Sequence, residues 1–415
     1  MDVVVLANRY KVHHFRNLEE QFRGKAAYEE SYDPAAILKH KPALVVCFDE
    51  HYCELGNAIG ALKQHGVATL QVMDGILEWR RTWDYTREGH SIDGVANPLN
   101  QPALSDKIAC LGRRDARILE SWGNFGKCEI VGAPRMDGLI RKRMAGEVKP
   151  VRPAGRKPRV LVMTAKTPGF TEQQVRTTTE SLADLKAFFD EQSDIDVVWR
   201  LTQQLDRELG IENRLADLTG GELHAIIEEV DAVITTPSTS LLEAMLLSRP
   251  TALLDYHNCP HYFETAWSIY CPAHIAPVVH DLLDPPAARM DYQDFLLDEQ
   301  LECKSPASDR LARLIEGMLE VCGHRAGEEL AFPVRMLDDA DLFVSSPLPL
   351  GEFKRCYPAF PVPDDLELRE MKIEVAAARG TIQTVYERLD HLTRRLDSIP
   401  GYRLLRKMKS AIRHH

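Results

Sequence analysis

The chain has 415 residues, of which 44% are hydrophobic and 27% are charged, and its formal net charge is −11. This length is too great for one ordinary core and predicts two domains with additional elements. The negative charge argues against a general nucleic-acid-binding protein, which needs a basic excess to neutralise phosphates.

Membrane-spanning and secreted proteins have sequence features that this chain lacks. It contains no run of about 18 apolar residues, so no transmembrane helix is predicted. Residues 1–6 have no basic n-region and continue directly into a strand pattern, which argues against a signal peptide. The nine cysteines include no C-x-x-C pair, a pattern typical of reduced thiols in a cytoplasmic protein.

Short apolar runs alternate with helical segments along most of the chain. The predicted strands are 3–7, 43–48, 68–72, 108–111 and 129–131, followed after a basic linker at 146–158 by 159–163, 196–201, 232–235 and 251–254. Continuous apolar strands separated by helices indicate parallel sheets covered on both faces. We therefore predict an α/β chain with two Rossmann-like domains, at 1–145 and 159–330, facing a cleft.

The C-terminal part has a different pattern. An extended, proline-rich connection is predicted at 331–363 and a helix at 364–400. Apolar residues recur in this helix at alternating spacings of three and four, which predicts a coiled coil and a homo-oligomer. The alternative is one long helix on the protein's own surface. The seam consists of Leu368, Met371, Val375, Ala378, Ile382, Val385, Leu389, Leu392, Leu396 and Ile399.

The tail at 401–415 is basic and amphipathic. Such a segment can lie on an anionic membrane surface, and the alternative is a solvated chain end. Its basic residues are Arg403, Arg406, Lys407, Lys409 and Arg413.

The segment 231–250, DAVITTPSTSLLEAMLLSRP, is the sharpest candidate for a binding site. A strand ends at Thr235, and the hydroxyl residues Ser238, Thr239 and Ser240 then open a helix. Ligands bind at the carboxyl ends of parallel strands, and the N–H groups at a helix N-terminus bind phosphate. Glu243 can accept hydrogen bonds from a ribose. Ser240 and Glu243 also fit a capping box, which requires no ligand.

This segment resembles the donor-binding strand, turn and helix of GT-B-type glycosyltransferases. The greatest similarity is to enzymes of bacterial surface-polysaccharide synthesis (capsule and O-antigen), with related polyol-phosphate transferases and sugar-nucleotide 2-epimerases. The turn Val131-Gly-Ala-Pro-Arg135-Met-Asp137 resembles the Gly-x-Pro-Arg-x-Asp turn that closes their first domain. The resemblance covers about residues 100–255, and the first hundred by topology only. It implies that Ser238, Thr239, Ser240 and Glu243 hold the donor's phosphate and ribose.

Basic residues at neighbouring strand ends are further donor-binding candidates. Arg200 lies at the end of one predicted strand, and Thr164 and Lys166 follow another. Positive charge there would neutralise a departing nucleotide diphosphate. The alternative for Arg200 and Lys166 is a surface ion pair.

The sequence departs from the family in two respects. A second glutamate of retaining members, seven residues after Glu243, is replaced by Pro250. The His-Gly and His-Pro pairs of polyol-phosphate transferases are replaced by Asp74-Gly75 and Leu201-Thr202. The choice between inverting and retaining transfer therefore stays open.

An inverting transfer needs a catalytic base. Asp74 is the first candidate, because it follows a buried strand and precedes Gly75, and Glu78 comes four residues later. Plain turn chemistry is the alternative for Asp74-Gly75. Trp79 and Trp83 form either a sugar platform or part of a core. Other candidate bases are Asp49 and His51 after the second strand, and His13 and His14 after the first.

The segment His257-Asn-Cys-Pro-His261 has a metal-like composition but lacks the ligand spacing of structural zinc. We expect it to contact the donor's base or sugar. No Asp-x-Asp donor-metal motif stands out, so metal-independent transfer, no metal site and no cofactor are predicted.

Together, these patterns predict a cytoplasmic enzyme, peripheral on the inner membrane face. It would move a sugar from a nucleotide-sugar donor to a polysaccharide or lipid-linked acceptor in cell-surface glycan synthesis. The first domain would bind the acceptor and the second the donor. The alternatives are a sugar-nucleotide 2-epimerase, a polyol-phosphate transferase and, outside enzymes, a nucleotide-sugar-binding scaffold module.

Overall fold

The computed structural model divides the chain into two units, Met1–Ser346 and Pro347–His415. The residues that the structure describes are 2–7, 12, 15–48, 53–80, 91–92, 95–96, 100–148, 155–202, 204–211, 221–257, 259–324, 330–337, 382, 385–386, 388–389 and 391–395. Among them, no helix combines the length and the apolar content needed to cross a bilayer.

A six-stranded parallel sheet forms the first half of the larger unit, in the order β2-β1-β3-β4-β7-β8. Its strands are β1 (Val3–Leu6), β2 (Ala26–Glu29), β3 (Leu44–Cys47), β4 (Ala68–Val72), β7 (Lys107–Cys110) and β8 (Cys128–Ile130). A small antiparallel ribbon, β5 (Ser91–Ile92) and β6 (Val95–Ala96), precedes β7. The helices are α1 (Pro34–Leu38), α2 (Cys53–Gln64), α3 (Arg113–Leu119) and α4 (Asp137–Met144).

A five-stranded parallel sheet follows, in the order β10-β9-β11-β12-β13. Its strands are β9 (Arg159–Met163), β10 (Asp196–Arg200), β11 (Ala232–Thr235), β12 (Thr251–Leu254) and β13 (Trp267–Ile269). The helices are α5 (Glu172–Asp190), α6 (Leu205–Glu208), α7 (Gly221–Glu229), α8 (Ser240–Leu246), α9 (Ile275–Leu283) and α10 (Ala287–Gln300). Thr171 begins α5 by accepting a hydrogen bond from the Gln174 backbone N–H at 3.2 Å.

The predicted α/β class with two parallel sheets is confirmed. Every strand predicted from an apolar run is present. The strands β1, β3, β4, β11 and β12 are buried along their whole length, which explains why each is a continuous apolar run in the sequence. The sequence analysis did not predict β2 or β13. The edge strand β2 carries half-buried and exposed side chains, so it lacks a continuous apolar run. β13 has only three residues.

Helix α11 (Ala307–His324) follows the second sheet in the chain and returns to the first sheet. Its apolar face, with Leu311, Leu314 and Met318, belongs to the same buried cluster as Val3 and Val5 of β1. The helix falls within 159–330, the range predicted for the second domain, and that boundary stays a prediction. Periodicity reveals that a helix has an apolar face but does not identify the sheet that covers it.

The chain crosses back at the segment between α10 and α11. The Glu302 backbone N–H donates to the Leu111 carbonyl at 2.8 Å. Gly132 has φ +95°, and a Cβ there would lie 2.7 Å from the Glu302 carbonyl oxygen. The Asp137 carboxylate accepts hydrogen bonds from the backbone N–H groups of Ala307 at 2.7 Å and Ser308 at 3.2 Å, at the start of α11. Gly132 and Asp137 of the predicted turn therefore fix this crossing.

Part of the predicted coiled-coil helix is described. The seam residues Ile382, Val385, Leu389 and Leu392 are helical and 50–55% exposed. The coiled coil itself stays a prediction. The remaining seam residues, most of the extended connection and the whole basic tail lie outside the described residues.

Candidate functional site

Threonines join the carboxyl ends of three adjacent strands in the second sheet. Thr164, directly after β9, shares a 2.9 Å hydrogen bond between its hydroxyl and that of Thr202. The Ala165 backbone N–H donates to Thr236 Oγ1, after β11, at 2.8 Å. These bonds hold the loops after β9, β10 and β11 together at the edge of the sheet where ligands of such folds bind.

Both predicted basic residues lie at this edge. Arg200 is the last residue of β10 and is half-buried, and its carbonyl accepts a 3.1 Å hydrogen bond from the Thr164 backbone N–H. Lys166 follows Ala165 and is exposed. Neighbouring parallel strands therefore bring the two cationic residues to the same edge.

The predicted hydroxyl loop, Ser238 to Ser240, follows β11 and leads into α8. Within it, the Ser240 hydroxyl donates to Ser238 Oγ at 2.9 Å, and the Ser240 backbone N–H lies 3.3 Å from the same oxygen. Thr239 is the N-cap residue of α8, and its side chain does not cap the helix. The alternative capping box is therefore not formed, because Ser238 occupies the Ser240 N–H and the Glu243 carboxylate bonds elsewhere.

Glu243 bonds to both domains. One carboxylate oxygen accepts from the Arg135 guanidinium, in the turn after β8, and the other lies 3.1 Å from His224 Nε2 on α7. The side chain is only 5% exposed. Burial alone would raise the pKa of Glu243, but the hydrogen bond from His224 and the charge of Arg135 outweigh burial and lower the pKa to about 2. Glu243 is therefore an ionised link between the domains.

Sequence reasoning noted Arg135 only as part of the family-like turn and missed His224. The Arg135 partner lies 108 residues further along the chain, so no local pattern predicts the ion pair. His224 carries no motif, although it lies on the helix that precedes the strand of the donor segment. The predicted ribose contact of Glu243 stays a prediction.

The turn after β4 contacts the hydroxyl loop directly. The Ile76 backbone N–H donates to Thr239 Oγ1 at 3.2 Å. A Cβ added to Gly75 would lie 2.5 Å from the same oxygen, so a larger residue there would force the Thr239 hydroxyl to move. Asp74, the first-choice base, is half-buried in this turn. The structure thus brings the Asp74 turn and the loop that opens α8 together.

The other candidates on the first domain have separate positions. Glu78 forms an ion pair with the buried Arg80. Trp79 packs against Tyr262 of the second domain, with ring centroids 5.9 Å apart, and Trp122 contacts the same tyrosine at 5.2 Å. This contact favours the packing alternative for Trp79. The candidates outside the described residues are Asp49, His51, His13, His14 and Trp83.

The loop after β12 has an organised polar interior. Asp255 is 2% exposed, and one of its carboxylate oxygens lies 2.8 Å from His261 Nε2. The other accepts from the His257 backbone N–H at 3.1 Å. The His257 ring lies 3.3 Å from the Thr178 hydroxyl on α5. The sequence analysis singled out His257, Cys259 and His261 but not Asp255, which precedes the motif as the first residue after β12.

Comparison with solved structures identifies this arrangement of two sheets. The chain has the two-domain GT-B fold. The structure of MnaA from S. aureus with UDP is similar, with a TM-score of 0.51 and 12% identity over 77% of this chain and 96% of that one. A variant of the wall teichoic acid polymerase TagF gives 0.50 and 12% over 77% and 89%. UDP-GlcNAc 2-epimerase of Methanocaldococcus jannaschii gives 0.49 and 12% over 76% and 99%.

At this level of identity the likeness shows the fold alone. No family model matches the sequence, and no curated protein matches it. The predicted GT-B resemblance is therefore confirmed for the fold, whereas a role in capsule or O-antigen synthesis stays a prediction. In this GT-B chain, Arg135, Ile76 and Trp79 all contribute contacts between the two domains.

Proposed function

We propose that the chain is a glycosyltransferase that moves a sugar from a nucleotide-sugar donor to a polysaccharide or lipid-linked acceptor in cell-surface glycan synthesis. The observation that carries the proposal is the contact between the Asp74 turn and the hydroxyl loop, through Ile76 and Thr239. It brings a candidate base from one domain beside a candidate phosphate-binding loop of the other. The GT-B fold, shared with a UDP-bound protein, supports a nucleotide sugar as the donor.

In the proposed reaction the second domain holds the donor. The hydroxyls of Ser238, Thr239 and Ser240 and the backbone N–H groups of Ser238 and Thr239 bind the phosphates, and Arg200 and Lys166 neutralise the charge that develops as the nucleotide departs. These cations neutralise the phosphate charge that a donor metal would otherwise neutralise, so we propose a metal-independent transfer. The Glu243 carboxylate accepts hydrogen bonds from the ribose hydroxyls through its remaining lone pairs. Arg135 and His224 hold the Glu243 side chain in place.

In the first domain, Asp74 takes the proton from the acceptor hydroxyl as general base. Its position after β4, beside Gly75, supports this role, because the turn lies against the loop that would hold the donor. Glu78, the other candidate in this segment, forms an ion pair with Arg80.

A thermal-shift screen with UDP, GDP, CDP, TDP and CMP and their sugar forms tests donor binding. We expect one nucleotide class to raise the melting temperature of the wild type but not of Ser238→Ala or Arg200→Met. Ser193→Ala and Arg23→Met are matched controls, because both residues are exposed and lie before the amino ends of β10 and β2, respectively. If no nucleotide or nucleotide sugar stabilises the wild type, the donor-binding proposal is overturned.

The donor identified in this way then allows the reaction to be tested. Asp74→Asn should abolish transfer to acceptor while leaving the donor-induced thermal shift unchanged, because only the base is removed. Conversion of the donor sugar to its 2-epimer without any acceptor would instead support the 2-epimerase alternative. Unchanged transfer in Asp74→Asn would exclude Asp74 as the base.

The C-terminal residues are proposed to bind the protein to a membrane surface and to join copies of the chain. The tail at 401–415 would hold the protein on the anionic inner membrane face, from the cytoplasm, and the seam at 368–399 would join copies of the chain. Replacing Arg403, Arg406, Lys407 and Lys409 with glutamine should release the protein from vesicles that contain anionic lipid. Unchanged vesicle binding would contradict the membrane proposal.

A further inference from the structure

The loop after β12 gathers three different metal-ligating side chains. Asp255, Cys259 and His261 each offer one ligand atom, and these atoms all lie within 4.8 Å of one another. A carboxylate, a thiolate and an imidazole are the three ligand types that zinc uses in proteins. We propose that Asp255, Cys259 and His261 bind a zinc ion.

The surroundings of the cluster suit such an ion. Asp255 is anchored at the end of β12 by a 3.0 Å hydrogen bond from its backbone N–H to the Ile269 carbonyl of β13. Its second carboxylate oxygen is oriented by the His257 N–H at 3.1 Å. A ligating carboxylate commonly has such an outer hydrogen bond, which fixes its direction.

The His261 ring is oriented by Tyr270. Its Nε2 points to Asp255, and its Nδ1 lies 3.5 Å from the Tyr270 hydroxyl. The imidazole also stacks on the Tyr270 ring, with centroids 5.6 Å apart and an angle of 14° between the planes. A ligating histidine needs this kind of support on its second nitrogen, which leaves the first nitrogen directed at the ion.

The three ligand atoms would need to move only slightly to surround a zinc ion. Zinc bonds of about 2.0 Å to nitrogen and oxygen and about 2.3 Å to sulfur place tetrahedral ligand atoms roughly 3.3–3.5 Å apart. His261 Nε2 and the Asp255 oxygen, now 2.8 Å apart, would separate slightly, and the Cys259 sulfur would move inward. On binding, Cys259 releases its proton to solvent, and its thiolate and the Asp255 carboxylate balance the charge of the ion.

The fourth coordination position would hold a water molecule or a substrate oxygen, because three side chains form the cluster. The proposed ion is independent of the proposed transfer, in which Arg200 and Lys166 neutralise the negative charge of the donor. Zinc at this position would fix the loop after β12 beside the edge of the second sheet.

Metal content and cobalt spectroscopy test the site directly. The full-length protein is stripped with a chelator, loaded with zinc, dialysed and assayed for zinc by elemental analysis. We expect stoichiometric zinc in the wild type and its loss in Cys259→Ser and in His261→Gln. The matched controls, Cys271→Ser on the next loop and His280→Gln at the exposed end of α9, should keep it. Cobalt loading should produce a thiolate-to-cobalt charge-transfer band that Cys259→Ser abolishes and Cys271→Ser retains.

A measurement on the unmodified chain covers the case in which a variant fails to fold. Zinc should slow alkylation of Cys259 at least tenfold while leaving Cys271 unaffected, as followed by mass spectrometry of peptides. The proposal is overturned if zinc protects neither cysteine, or if cobalt gives no thiolate band. Neither readout involves a nucleotide, so a negative zinc result would leave the donor-binding proposal standing. A negative nucleotide screen would likewise leave the zinc proposal standing.

Discussion

The backbone N–H of Ile76 donates a 3.2 Å hydrogen bond to Thr239 Oγ1, joining the turn after β4 to the loop that opens α8. Gly75 leaves room for the Thr239 hydroxyl in this position, because a Cβ would lie 2.5 Å from its oxygen. The turn that carries the candidate base Asp74 is therefore hydrogen-bonded to the loop that opens α8.

Gly75→Ala should push the Thr239 hydroxyl away and break the bond to Ile76. We expect a loss of about 1 kcal/mol of unfolding free energy, the usual contribution of one hydrogen bond. In a Thr239→Ala background the same change should cost much less, because the clashing atom is gone. Denaturant unfolding of the four proteins measures this coupling, and equal costs in both backgrounds would contradict the contact.

The ion pair between Arg135 and Glu243 should stabilise the larger unit. Arg135→Met leaves a buried carboxylate with only His224, and we expect a loss of about 2 kcal/mol. Arg135→Lys should recover part of this loss. Arg141→Met is the matched control, because its pair with Asp309 is 3.8 Å long and both side chains are more than half exposed. Equal effects of Arg135→Met and Arg141→Met on the melting temperature would refute the prediction.

Glu243 should make the protein sensitive to acid. The pKa of Glu243 falls from 4.5 to about 2 on folding, so its stabilisation is present above about pH 4.5 and is lost as the pH falls towards 2. The difference corresponds to about 3 kcal/mol at neutral pH. Glu243→Gln should lower the melting temperature at pH 7 and flatten its dependence on pH between 4.5 and 2. An unchanged acid profile would show that Glu243 is not the responsible group.

Asp115 on α3 should make the protein less stable as the pH rises, which is opposite to the effect of Glu243. Burial raises its pKa from 3.8 to about 7, partly opposed by Arg114, and its Oδ2 has no hydrogen-bond partner among the described residues. Stability from this group is therefore full below about pH 3.8 and is lost as the pH rises through about 7. Asp115→Asn should raise stability at pH 8 by about 2 kcal/mol and have little effect near pH 4. A stabilisation of equal size at both pH values would argue against titration of Asp115.

The exposed seam offers a test of self-association. If copies of the chain pair through residues 368–399, Leu389→Asp should lower the sedimentation coefficient by converting oligomer to monomer, because a charge at a seam position is buried in a coiled coil. Arg388→Asp is the matched control on the same helix but outside the seam. If the wild type sediments as a monomer, or if both variants have the same sedimentation coefficient, the coiled-coil prediction is wrong. The alternative of a helix on the protein's own surface would then be favoured.

The sequence predicted the parts of this fold that depend on local pattern. Buried parallel strands such as β11 and β12 are continuous apolar runs, and the turn from Gly132 to Asp137 carries a recognisable motif. The location of the hydroxyl loop at a strand end also followed from chain order alone.

The contacts that define the site depend on residues far apart in the chain. The partners Arg135 and Glu243 are 108 residues apart, and Ile76 and Thr239 are 163 apart, so no periodicity connects them. His224 and Asp255 carry no motif of their own. Each matters because of the neighbour that folding brings to it, and the sequence alone does not specify that neighbour.

Because α11 completes the buried cluster around β1, the first sheet cannot finish folding on the ribosome when its own strands have emerged. The last strand of the first sheet ends at Ile130, yet Leu311 and Leu314 of the same buried cluster follow about 180 residues later. At synthesis rates of about 5–20 residues per second, the nascent first domain would keep this apolar face uncovered for roughly 10–40 seconds. The order of synthesis thus leaves an apolar face of the N-terminal half exposed until the second domain has been translated.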